Sequence, residues 1–104
     1  MAGKSSKNTA GALALDADLR IGAAPALRDT LLAALTAGKP VDIDGSAVNQ
    51  IDTAGLQVLA AFSRDARAAG LAVRWRGASD SLHRGVAVLG LSELIELPAR
   101  AGVN

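Results

Sequence analysis

Apolar positions along the chain alternate in some stretches and recur at helical spacing in others, and the change of period marks out the elements. Leu13 and Leu15 alternate with Ala12 and Ala14, which predicts a short strand, and Leu19 to Ile21 predicts a second short strand or the entry to a turn. Leu27, Leu31 and Leu35 then follow at helical spacing, with Arg28 and Asp29 on the other face. Pro25 sits where a first helical turn tolerates it, and Gly38 and Pro40 end the run. Val41-Asp42-Ile43-Asp44 returns to strict alternation, a strand that Gly45-Ser46 breaks, and Ala47 to Ile51 lead into the next helix. That helix is predicted from about Thr53 to Ala69. Leu56, Leu59, Phe62 and Ala66 form its buried stripe, Arg64 and Arg67 its wet side, and Gly70 its stop. Leu71, Val73 and Trp75 alternate with Ala72, Arg74 and Arg76 in another strand. Ser79-Asp80-Ser81 supplies an N-cap for a helix carrying Leu82, Val86 and Leu89 up to Gly90, and Leu94 to Leu97 predicts a last short strand before Pro98. Residues 1–10 lack periodicity and read as a flexible tail, 11–98 as one domain, and 99–104 as a frayed C-terminus.

Strands alternating with helices of this length predict an α/β fold with a mixed, mainly parallel sheet of four or five strands. Strands covered on both faces read as continuous apolar runs, whereas Asp42, Asp44, Arg74 and Arg76 fall on the second face here. The sheet is therefore expected to be covered well on one face and partly on the other. Val41, Ile43, Val73 and Trp75 should be largely buried, with Asp42 and Arg74 more exposed.

Composition narrows the function. A chain of 104 residues, half of them apolar and a fifth charged, builds one globular core. The absence of cysteine excludes disulfides, thiol nucleophiles and thiolate metal sites, and a single histidine leaves a transition metal short of ligands. Net charge is +1 with scattered basic residues, which gives no electrostatic case for nucleic acid. No apolar run approaches the ~18 residues of a membrane span, and the start lacks a signal-length apolar stretch. A cytoplasmic protein without direct membrane insertion is expected. Neither a P-loop nor a dinucleotide glycine fingerprint is present, and Asp42, Asp44 and Gly45 lack the remaining ligands of a calcium loop. Ala54 interrupts the Asp-Thr-Gly string of an aspartic protease. His83 reads as an exposed surface residue, Trp75 as core, and Arg74 with Arg76 as a solvated sheet face or a docking patch for an acidic partner. No acid, base and nucleophile converge, so neither enzyme activity nor a cofactor is expected.

The informative stretch runs from Asp44 to Leu56: Asp44-Gly45-Ser46-Ala47-Val48-Asn49-Gln50-Ile51-Asp52-Thr53-Ala54-Gly55-Leu56. A strand ends, the chain turns, and a helix begins beside Asp52. The first amides of a helix have no intrahelical partner and favour negative charge, so Asp52 can cap them. Thr53 places a hydroxyl on the exposed first turn, and Ala54 and Gly55 are small enough for another protein to approach the backbone. A phosphoryl group on Thr53 would add roughly −1.5 to −2 charge beside Asp52. On these residues alone, an ordinary helix cap and a switch both remain open.

The order of elements and the string Ile51-Asp52-Thr53-Ala54-Gly55-Leu56-Gln57-Val58-Leu59 resemble the STAS family, the domain of anti-sigma factor antagonists. The resemblance runs from about Leu13 to Leu97 and includes Asp44 and Ser46 before the motif, the Gly70 stop, and Gly90-Leu91 after the third helix. It implies a STAS-like fold and a protein-binding regulator. It also implies that Thr53 is the phosphoacceptor of a serine/threonine kinase acting as anti-sigma factor, phosphorylation releasing the partner. The implied contact residues are Ser46, Asn49, Gln50, Asp52, Thr53, Ala54 and Gly55. The family antagonists usually carry Ser at the acceptor position and an aliphatic residue at the place of Gly45. A family glycine between the first strands is replaced by Asp16-Ala17-Asp18. Threonine at this position also occurs in STAS subunits of phospholipid-transporting ABC systems, where it contacts the ATPase subunit, and in chemotaxis-associated STAS proteins.

Overall fold

The computed structural model describes residues 12–99 together with the backbone of Asn8–Thr9. In chain order the elements are β1 (Asn8–Thr9), β2 (Ala12–Ala14), β3 (Asp18–Leu19), a 3₁₀ turn (Ile21–Ala23) and α1 (Ala24–Ala37). They continue with β4 (Val41–Gly45), β5 (Gln50–Ile51), α2 (Thr53–Ala68), β6 (Val73–Ala78) and α3 (Asp80–Val88). β2, β4 and β6 are mutually parallel neighbours in a sheet of order β1-β2-β4-β6, with β1 antiparallel at one edge. β3 and β5 form a separate two-stranded parallel pair. This is the mixed, mainly parallel α/β architecture expected.

Register explains the division of the sheet into faces. Leu13, Ile43 and Trp75 lie side by side on one face, while Asp42 and Arg74 lie together on the other. Ile43 and Trp75 are buried, as are Leu27 and Leu31 of α1, Leu56, Leu59, Phe62 and Ala66 of α2, and Leu82 and Val86 of α3, and all join one core. On the charged face Asp42 accepts from Arg74 Nε at 3.3 Å and pairs with Arg76 Nε at 3.6 Å. The irregularity in register after Ile43 puts Arg76 opposite no β4 residue. α2 ends as its glycine predicts. Leu71 N–H donates to Ala66 O and Gly70 N–H to Arg67 O, with Gly70 at φ +75°, a Schellman motif.

Several expectations are corrected. Asn8–Thr9, read as part of a flexible tail, pair with Leu13 and Ala12. Strand pairing at a sheet edge uses backbone groups, which a side-chain pattern does not reveal. Residues 1–7, 10–11 and 100–104, the remainder of the predicted tail and frayed end, lie outside the described residues. Leu94 to Leu97 is not a strand. The segment turns on itself, with Leu94 and Ile95 amides donating to Leu91 O, and Ile95 is buried to 1 % exposure while its neighbours are not. Leu89 does not share the buried face of Leu82 and Val86, because α3 stops at Val88 and leaves it 39 % exposed. Val73 is less buried than Val41, Ile43 and Trp75, since it opens an edge strand beside a cavity shared with Leu71 and Leu94. Among the described residues no helix is long and apolar enough to cross a membrane.

Candidate functional site

The C-terminal ends of the parallel strands converge on the start of α2, where ligands and partners of open α/β sheets commonly bind. The amides of Asn49 and Gln50 both donate to Ala17 O, at 2.9 and 3.0 Å, which lays β5 along β3. β4 ends in a tight turn: Asp44 Oδ1 accepts from the Ser46 amide at 2.9 Å and the Ser46 hydroxyl at 2.7 Å. Those two bonds hold the Asp44 carboxyl below its usual range. At Gly45 the space a side chain would need is already filled. A Cβ there would lie 2.6 Å from Leu82 Cδ2 and 3.2 Å from the Trp75 ring.

Asp52 is the N-cap of α2, its Oδ1 accepting from the Gly55 amide at 3.1 Å. The other oxygen has a use the sequence did not announce: Oδ2 accepts from the Ile21 amide at 2.9 Å. One carboxylate thus ties the 3₁₀ turn to the helix start. Beside it, Asp18 and Arg20 form a two-pronged ion pair, with Arg20 Nε to Oδ1 at 2.9 Å and Nη2 to Oδ2 at 2.8 Å. The Arg20 side chain, helped by its own backbone amide, holds the Asp18 carboxyl down to about 2, and the Arg20 guanidinium is raised in return. Asp18, Arg20, Ile21, Gly22, Ala23 and Asp52 line an open cavity of about 570 Å³. The Asp-x-Arg spacing at 18–20 was visible in the sequence, but it is too common to single out. Ile21, 71 % exposed, lay hidden in a stretch read as strand or turn entry.

Thr53 is exposed at the first helical position, Ala54 is half-buried, and Ser46, Asn49 and Gln50 are exposed. Gly55 departs from expectation. It is buried, and a Cβ built on it would collide with the Leu19 carbonyl oxygen and crowd the Ile51 side chain. Its small size lets α2 lie against β3 and β5 within the chain and presents no surface to an approaching protein. The exposed residues 46, 49, 50 and 53 share the sheet's C-terminal edge with the 3₁₀ turn. Asn49 is further fixed by its carbonyl, which accepts from Ser81 Oγ at 3.3 Å. His83, expected on the surface, is half-buried with Nε2 enclosed and without a hydrogen-bond partner. Among the described residues no three His, Cys, Asp or Glu side chains gather as a metal site.

A family model described as "Mlab, STAS domain" matches residues 2–96. No curated protein matches the sequence. The match spans nearly the whole chain. The chain belongs to the STAS domain family.

Proposed function

We propose that this STAS domain is a non-enzymatic regulatory module that binds a protein partner through the surface around Asp52 and Thr53. In this reading Thr53 is the phosphoacceptor, and a serine/threonine kinase of the anti-sigma type is both partner and modifier. One observation carries it. Thr53 is exposed at the N-terminus of a 16-residue helix, directly after a carboxylate already engaged by two backbone amides. A phosphate added there is favoured by the helix end and leaves the Asp52 contacts in place. It changes the charge a partner meets while the fold persists. Family membership supports the general role, since STAS domains mediate protein–protein interactions.

A second reading is favoured by threonine, rather than serine, at position 53: an ABC-type transporter's STAS subunit, whose threonine touches the ATPase without being modified. Incubating wild type and Thr53→Ala with the candidate kinase and ATP, followed by intact-mass measurement, separates the two. One phosphate on wild type and none on the variant supports the switch. No phosphate on wild type, with partner binding lost in Thr53→Ala, supports the unmodified interface.

A further inference from the structure

α1 and α2 are successive crossovers between parallel strands, so they lie side by side and point the same way. Between them runs an apolar groove of about 390 Å³, with Leu31, Leu35, Val58 and Phe62 among its walls. It opens between Ala24 and Ala54, and Ala54 immediately follows Thr53. From Ala24 to Leu35 it follows α1 for about 16 Å, or three helical turns. Leu32 on its lip is 50 % exposed, next to Leu31, which is buried.

Two charges give the groove a direction. Arg28 lines it on α1, one turn from the Thr53 end, and Asp65 lines it on α2 at the far end. With the helices aligned at Ala24 and Ala54, these charges stand about 10 Å apart along the axis. Asp65 pairs with its exposed neighbour Arg64 at 3.9 Å, a weak contact. A channel between two parallel helices, with apolar walls and opposite charges at two points along it, matches a third amphipathic helix.

We propose that the groove receives an amphipathic helix of the protein partner, its acidic side chains over Arg28, one turn from the Thr53 end, and its basic side chains over Asp65. This rests on the reading of Thr53 as a partner-facing residue. It adds a physical reason for release, because a phosphate on Thr53 would repel the acidic side chains of the docked helix.

The test is selection of displayed helical peptides on the wild-type protein, with counter-selection on Leu32→Asp. Enriched peptides are expected to carry apolar residues at helical spacing, with Asp or Glu at one end and Lys or Arg at the other. The best synthetic peptide should shift backbone amide resonances of Leu32, Val58 and Ala61. Leu32→Asp should weaken it by roughly tenfold or more. The double reversal Arg28→Glu/Asp65→Lys should bind the charge-swapped peptide in preference. Leu32 and Arg28 are exposed, so these variants should fold, which circular dichroism verifies. Groove-dependent binding with reversed charge preference supports the proposal even if Thr53→Glu binds equally well, a result that would count against the phosphorylation switch alone. Failure to enrich such peptides, or binding indifferent to both Leu32→Asp and the reversal, overturns the proposal. So does a concentration-dependent dimer abolished by Leu32→Asp, which would assign the groove to a second copy of the chain.

Discussion

Asp52 commits both carboxylate oxygens to amides of different elements, whereas its neighbour Thr53 is exposed to solvent. The two positions should therefore separate stability from binding. Asp52→Ala loses an N-cap worth ~1 kcal/mol and strips the Ile21 amide of its acceptor, so the melting temperature should fall by roughly 10 °C. Thr53→Ala should leave it within about 3 °C of wild type, as scanning calorimetry would show. The Asp18–Arg20 pair makes a different prediction. Asp18 is held down to about 2 when folded, so its contribution is complete above the ordinary carboxylate value and is lost as pH falls through about 2. Both partners are exposed, so the effect on global stability is small and carbonyl-carbon NMR titration is the better readout. In Arg20→Gln the Asp18 titration should move back toward the ordinary range. The cap at Asp52 was legible because Asp-Thr precedes an apolar helical run. Its bond to Ile21 was not, because it spans 31 residues and depends on the fold bringing two loops together.

At the scale of elements, legibility followed period and length. α2 was readable nearly end to end, since a long stripe of Leu56, Leu59, Phe62 and Ala66 closes on a glycine stop. The two-residue strands β1 and β5 were not, because so short a segment carries no period. Leu94 to Leu97 misled for a different reason: its apolar residues are real, but they serve to plant Ile95 in the core from a turn. Gly55 shows how an element contact can resemble a binding feature. In sequence its size suggested access for a partner, whereas in space it is the point where α2 meets the Leu19 backbone. Gly55→Ala should consequently destabilise by ~1–3 kcal/mol in denaturant titrations, since a backbone carbonyl cannot swing aside like a side chain. Its partner affinity should change only through that loss of folded protein.

For the molecule as a whole, the sharpest expectation concerns Thr53→Glu. The fold should survive, because a carboxylate at a helix N-terminus is favourable, yet partner affinity should fall by roughly tenfold or more in calorimetric titration. Wild-type affinity in that variant, with no phosphate accepted by Thr53, would defeat the switch. The division of the strands into two ladders has a dynamic consequence. β4 and β6 are joined over five residue pairs within the main sheet, while β3 and β5 share only two, Asp18 with Gln50 and Leu19 with Ile51. The loops bearing Asn49, Gln50 and the 3₁₀ turn are fastened by the smaller ladder. Local opening there requires far less disruption than opening the sheet, so its amides should exchange with deuterium well before those of Ile43 and Trp75. A partner that seats on this edge would have to still those openings, and its binding would then register as slowed exchange at Asn49, Gln50 and Ile21 with the main sheet unchanged.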